Sequence, residues 1–358
     1  MANYLTTDTE LTSIANAIRT KGGTQADLVY PTGFVSAIND IPTGGGGTVN
    51  LTGVCDYAFF GNAGKQLIDN ITFTTSDITT ADYMFMQYTG TTIPFSLNFS
   101  TQADVVIRNL FNWCQNLTTI PTLNLNGVRI GRSYGLNNMF QNCYQLQNVP
   151  DFLDGADLTL LHNNTGNVFG NMFNSCYSLT SISPALLGKL YNKFNTTNRF
   201  QNMFNDCISL TALNNFAAFG EDTTTSVSTN VFQTSLFARL KSCSSITFSC
   251  NGTVRLYSNQ DIQLTGFLGY STSSADWNKD TFSGGHSMAD SVYDHDSLVE
   301  TIASLPDTSS VSPPANPTNK LTIQNGLGAN SVNGGVNDLT AAEIAVATNK
   351  GWALNYIG

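Results

Sequence analysis

Apolar residues recur along this chain in a repeated grammar rather than in long helical or strand-like runs. From Asn109 it reads N-L-F-N-W-C-Q-N-L-T-T-I-P, and variants of that string begin at Asn138, Asn171 and Asn202. The shared pattern is N-[LM]-F-x-x-C-x-x-L-x-x-[IVL]. It is carried by Asn109, Phe111, Cys114 and Leu117; by Asn138, Phe140, Cys143 and Leu146; by Asn171, Phe173, Cys176 and Leu179; and by Asn202, Phe204, Cys207 and Leu210. Successive cysteines are 29, 33 and 31 residues apart. Weaker copies flank the set: Met84-Phe85 leads to Tyr88 and Ile93, while Leu240, Cys243 and Ile246 occupy the Phe, Cys and Leu slots. Phe, Cys and Leu at i, i+3 and i+6 share one face of a short helical turn. The following Leu-x-x-Ile/Val reads as a brief extended run. A unit this short cannot bury its own apolar face, so the pattern predicts stacking. The expected fold is an α/β repeat solenoid with short helices and short parallel strands. Ladders of Phe, Cys, Leu and Ile would run inside it, and the Asn would bond backbone groups that a tight turn leaves unpaired.

The ends read differently. Leu11, Ile14, Ala15, Ala17 and Ile18 form a helical stripe with Asp8 or Thr9 as cap, stopped at Lys21-Gly22-Gly23. Pro31 opens a second helix through Phe34, Val35, Ala37 and Ile38. The expected organisation is a helical attachment or oligomerisation module over 1–43, a glycine linker over 44–47, the repeats over 48–265 and a C-terminal repeat and capping region over 266–358. In that last region Asp296 or Ser297 caps a helix from Leu298 to Ser304, and Leu321 to Ile323 is a strand. Thr340-Ala341-Ala342-Glu343 fits a capping box that opens a helix to about Asn349, and Trp352 to Ile357 returns as a strand. That strand-helix-strand ending would cover the open end of the stack.

The repeat core resembles the BspA-like leucine-rich repeat family, with matches at Phe111 to Ile120, Phe140 to Val149, Phe173 to Ile182 and Phe204 to Leu213. The resemblance implies a curved solenoid with parallel strands on one face, and an adhesive or recognition role. This chain departs from the family in its irregular period and in insertions at Asp151 to Asn167 and Ala217 to Thr229, which are expected to emerge as loops. ELTSIANAIRTKGGT followed by YPTGFVSAI is similar to a short N-terminal segment of structural and fibre-type proteins of tailed bacteriophages. The ending LTAAEIAVATNKGW resembles the tail end of the same repeat family in phage and bacterial proteins.

Composition narrows the function classes. Of 358 residues, 15 are Lys or Arg and 25 are Asp or Glu, which is 11% charged against about 25% in ordinary domains. Thr (44), Asn (40) and Ser (31) supply the polar surface instead. A net charge of -10 with scattered basic residues argues against a nucleic-acid partner. No apolar run is long enough for a membrane span or a signal peptide, so neither membrane insertion nor secretion is expected. Seven cysteines, an odd number spaced by the repeat, read as buried free thiols. A metal or redox array is disfavoured because zinc needs close Cys/His clusters, and here each rung offers one thiol.

No catalytic, cofactor or metal site is assigned, and no enzyme activity is expected. The P-loop and H-E-x-x-H are missing from the sequence. Asp290, Asp294, His295 and Asp296 form one acidic cluster with a histidine, read as a helix cap with solvated neighbours because its spacing fits no calcium loop. His162 reads as a loop residue. Trp113, Tyr144 and Tyr177, beside the repeat cysteines, fit either ligand-contacting platforms or packing between rungs. The leading expectation is a bacteriophage virion structural protein, on a tail fibre, tail tip or other appendage. Residues 1–43 would join other virion proteins or a homo-oligomer, and the repeats would bind a host-surface glycan or protein. The alternatives are a tail-spike-like glycan-degrading enzyme using Asp290 with Asp294 or Asp296, an architectural or capsid-decorating component, and a bacterial surface adhesin.

Overall fold

The computed structural model describes residues 48–131, 135–162, 167–191, 200–219, 236–237, 240, 242–250, 261–263, 295–310, 314–317, 319–324 and 339–357. The expected helical module over 1–43 and the glycine linker lie outside the described residues. Among those described, the strands form small parallel sheets and the helices are few and short, with no closed barrel. No described helix is long and apolar enough to cross a membrane.

The first unit is a strand, a turn and a helix: β1 (Thr48–Val54), the turn from Cys55 to Phe60, and α1 (Gly61–Asn70). It leads into β2 (Thr72–Thr80), which pairs in parallel with β1. Gly64 lets α1 fold tightly over this turn, because a Cβ there would sit on the Phe59 carbonyl. Next come two-residue strands in parallel pairs. β3 (Leu97–Asn98) pairs β5 (Leu123–Asn124), β4 (Asp104–Val105) pairs β6 (Arg129–Ile130), and β7 (Asn148–Val149) pairs β8 (Ser181–Ile182). Of two four-residue helices, α2 (Thr159–His162) falls between β7 and β8, and α3 (Pro184–Leu187) follows β8. β9 (Ala212–Phe219) and β10 (Ser245–Cys250) form the next parallel pair.

Each unit turns at its Asn-x-Phe segment, and the turn is not helical. Asn109, Asn138, Asn171 and Asn202 all have φ near +53 to +54°, and the residue four positions later, Trp113, Asn142, Ser175 or Asp206, has φ of +61 to +64°. Helical geometry is therefore broken at both ends of these four Phe turns, which corrects the expected helical turn. Asn recurs at the first position because, among residues other than glycine, it tolerates the left-handed region best. Three N–H groups per turn then point outward along the stack. Those of Asn109, Phe111 and Trp113 donate to Asn137, Met139 and Gln141, and those of Asn138, Phe140 and Asn142 donate to Gly170, Met172 and Asn174. The intervening Asn112 and Cys114 N–H groups close the turn internally on Asn109 and Phe111.

The opposite side of each unit carries a second rail that runs the other way. The N–H of Thr118 donates back to Thr91, Gln147 to Thr118, Thr180 to Gln147, Thr211 to Thr180 and Ser244 to Thr211. The hydroxyls of Thr118, Thr180, Thr211 and Ser244 reach the same carbonyls at 3.0–3.3 Å. Hydroxyl and amide side chains thus take the structural work that charges do elsewhere, which accounts for the polar composition.

Between the rails lies the core. Phe59, Phe85, Phe111, Phe140, Phe173, Phe204 and Phe237 stack face to face with centroids 5.2–6.2 Å apart. Leu117, Leu146, Leu179 and Leu210 are buried beside them. A fully buried side chain of this size contributes about 1.5–3 kcal/mol, so the column is a principal source of stability. Phe237 fills the Phe slot of the last unit, and Ile246 lies opposite Leu213. Leu240 and Cys243 therefore occupy the Cys and Leu slots, three residues off the assignment expected from sequence. The Asp151–Asn167 insertion also differs from expectation. It buries Phe152, Leu153, Leu158 and Leu161 and carries α2, so much of it belongs to the core rather than to a projecting loop.

The C-terminal elements sit against the last unit. α4 (His295–Ser304) starts at His295, so Asp296 and Ser297 lie in its first turn instead of capping it. The Thr301 hydroxyl donates to the Ile246 carbonyl at 2.7 Å, and the Phe248 N–H donates to the Ser304 hydroxyl at 3.0 Å. Leu298, Ile302 and Leu305 are buried there. β11 (Asp261–Gln263), β12 (Asn319–Gln324) and β13 (Trp352–Ile357) form a parallel sheet that joins residues before and after position 265. Thr340 and Glu343 form a reciprocal capping box at the start of α5 (Ala341–Asn349). The Trp352 indole N–H donates to the Pro306 carbonyl.

Candidate functional site

The repeat residues are committed to structure. The thiols of Cys114, Cys143, Cys176 and Cys207 donate to the carbonyls of Phe85, Phe111, Phe140 and Phe173 at 2.9–3.1 Å. Each thiol bonds the Phe of the preceding unit, a carbonyl that for Phe111, Phe140 and Phe173 also accepts the Cys N–H of its own turn. The slot thus suits a small apolar side chain with one weak donor. Burial pushes the Cys143, Cys176 and Cys207 thiols well up from their ordinary range, with the neighbouring thiol adding to the effect. These are unreactive positions rather than nucleophiles. The asparagines link sideways: Asn138 donates to Asn109 Oδ1 at 3.0 Å, and Asn202 to Asn171 Oδ1 at 3.1 Å. At the N-terminal end Asp82 takes the chain of polar contacts over, accepting from Arg108 Nε at 2.6 Å and from Asn109.

The aromatic candidates divide. Tyr144 and Tyr177 stack on each other between adjacent units with centroids 4.8 Å apart, and Tyr177 stays 36% exposed. The pair therefore packs between adjacent units, as one of the two sequence readings expects, while part of Tyr177 stays open to solvent. Trp113 lies elsewhere, at a left-handed turn position, and is 42% exposed. A bulky residue with φ of +62° at an exposed position has no packing reason of its own.

The acidic cluster does not come together as a described site. Asp290 and Asp294 lie outside the described residues. His295 bonds Asp296 at 3.1 Å and reaches Glu343 of the α5 capping box at 3.4 Å, so it links α4 to α5. Among the described residues no group of three His, Cys, Asp or Glu side chains is placed to hold a metal ion.

A cleft of about 410 Å³ opens where the Asp151–Asn167 insertion meets the segment after α3. It is lined by Leu153 to Thr159, His162, Lys189 and Tyr191. His162 is buried, not a loop residue: its ring lies 3.7 Å from that of Tyr191, and its Nε2 is 2.9 Å from the Lys189 carbonyl. Lys189 Nζ reaches Asp151 at 2.5 Å and Asp154 at 3.4 Å. Hydrogen bonds from the Thr159 side chain and N–H hold the Asp157 carboxyl below its usual range, so it is ionised at neutral pH. Of these residues sequence reasoning singled out only His162. Asp154, Asp157, Lys189 and Tyr191 carry no motif, and the single hint was an insertion longer than the repeat requires.

Comparison with protein-family models, with curated proteins and with solved structures finds no match for this chain.

Proposed function

We propose that the chain is a bacteriophage virion structural protein that binds the bacterial host surface through a leucine-rich-repeat solenoid. Residues 1–43 attach it to other virion proteins or to further copies of itself. The observation that carries this reading is the division of labour within each unit. The inward Phe, Cys and Leu positions and both hydrogen-bond rails repeat from unit to unit. Trp113, Tyr144 and Tyr177 vary and lie wholly or partly at the surface, and Asp154 to Thr159 of the insertion line the cleft. A constant interior with a variable exterior suits display and recognition rather than turnover. The N-terminal resemblance to phage fibre-type proteins gives the setting.

The test is retention of the labelled full chain, and of a chain starting at Thr48, on a panel of bacterial species. Both forms are expected to bind the same strains, and the shorter form is expected to lose association with the particle. Retention on no strain, or retention that disappears with residues 1–43, would sink the reading.

A further inference from the structure

Among the described residues, the cleft beside His162 brings together charged and aromatic side chains from two successive units. In the repeats, the side chains of Asn138, Asn202, Thr180 and Thr211 bond to neighbouring units through the Asn–Asn links and the rail carbonyls. Here Asp154 is 90% exposed with one long contact to Lys189, and Asp157 is fixed by its own Thr159 turn. Two successive units depart from the repeat at the same corner, so their side chains meet across it. Gly155 makes the corner possible. Its φ is +72°, and a Cβ there would strike the Asn126 side chain at 2.5 Å.

We propose that this cleft is a saccharide-binding site. It rests on the host-binding reading only for the source of the sugar. Three chemical features favour this ligand class. Tyr191 is held by the buried His162 ring, and an aromatic ring of that kind packs against the C–H face of a sugar. Leu153, Ala156 and Leu158 extend the apolar lining. Asp154 and Asp157 accept hydrogen bonds from hydroxyls, and the Lys189 ammonium donates them, so vicinal hydroxyls find both kinds of partner.

The competing classes fit less well. An anion such as phosphate would face Asp154 and Asp157 with one ammonium that already pairs with Asp151. A wholly apolar ligand would leave the charged rim unsatisfied. A bare cation lacks a described three-ligand set. The volume, about 410 Å³, lies toward the lower end of small-molecule sites, which run from about 300 to 1,000 Å³, and gives room for a mono- or disaccharide unit.

The probe is a printed array of purified bacterial envelope oligosaccharides, read with the full-length chain and with Asp154→Asn, Tyr191→Ala and Asp69→Asn. Binding of one glycan group is expected. The first two substitutions should weaken it roughly tenfold or more, the scale of losing a hydrogen bond to a charged group or an aromatic platform. Asp69→Asn, an exposed carboxylate on α1 away from the cleft, should leave it unchanged. Asp154 is exposed enough that its substitution leaves folding intact, so that variant decides the matter even if Tyr191→Ala melts early. No glycan bound, or binding indifferent to Asp154→Asn, overturns the proposal. Retention on cells that survives Asp154→Asn removes the cleft but keeps the host-binding reading. Cleft-dependent glycan binding without retention on any cell keeps the cleft and removes host binding.

Discussion

Replacing Phe140 by alanine is the sharpest test of the core. Phe140 is fully buried and stacks on Phe111 and Phe173, each at 5.6 Å, with the edge of Phe152 at 5.7 Å. Truncating a buried Phe costs about 3–5 kcal/mol. Two stacked partners place this site near the top of that range, since an aromatic pair adds about 0.5–1.5 kcal/mol beyond area. The neighbours cannot close the gap cheaply, because both rails fix the spacing between units. At about 2.1 cal/mol/K of unfolding entropy per residue, a chain of 358 residues melts about 1.3 °C lower per kcal/mol lost, so melting should fall by roughly 4–7 °C. Urea unfolding of the full chain, followed by far-UV circular dichroism, gives the free energy directly. Tyr177→Ala is the control, because its ring is partly exposed, and it should cost only about 1 kcal/mol. A Phe140→Ala loss below about 1 kcal/mol, or one equal to the control, refutes the idea that the Phe column holds the units together.

Other expectations follow from the turns, thiols and C-terminal helices. Asn138→Ala should destabilise by about 1–2 kcal/mol through its positive φ and the lost bond to Asn109, whereas Asn138→Gly recovers the backbone part; equal melts for the two variants would contradict that account. The thiols of Cys114, Cys143, Cys176 and Cys207 should resist iodoacetamide at pH 8 in the native protein and label fully in guanidinium; native labelling at the rate of a free thiol would contradict their burial. The α4–α5 link has a pH window. Its hydrogen bond to Asp296 raises the His295 pKa, so its contribution is complete below the ordinary value of 6.5 and is lost as pH rises through the raised one. Bonds from Thr340 lower the Glu343 pKa, so its contribution is complete above 4.5 and is lost as pH falls through the lowered one. Protection of the α5 amides, measured against their intrinsic exchange rate at each pH, should therefore be highest between about pH 4.5 and 6.5, and His295→Gln should flatten the alkaline side; a profile unchanged by that substitution would rule the link out.

Local grammar was legible wherever one short segment decides the outcome. The Phe, Cys and Leu spacing marked residues that share the interior, the Thr340 to Glu343 string marked a capping box, and the odd cysteine count marked thiols rather than disulfides. The same spacing misled about conformation. Positions i, i+3 and i+6 fit a helix, yet the left-handed Asn109 and Trp113 make the segment a chain of turns that exports N–H groups to its neighbour. Periodicity reports which side chains face inward, and it is silent on where backbone donors go. Slot assignment failed at the last unit for a related reason: Leu240 and Cys243 are both apolar enough for either slot, and only the stacking of Phe237 on Phe204 sets the register.

The cleft belongs wholly to tertiary structure. Lys189 lies 38 residues from Asp151 and 27 from His162, and no local rule relates them. They meet because units of unequal length must still align their Phe columns, which forces the surplus residues of two neighbouring units into one corner. By itself, the sequence determined which residues form the interior and that Asn, Thr and Ser do the work usually left to charges. Only stacking decided the conformation of each turn, the opposite polarity of the two rails and the meeting of Asp154, Asp157, Lys189 and Tyr191, because each depends on a partner contributed by the next unit.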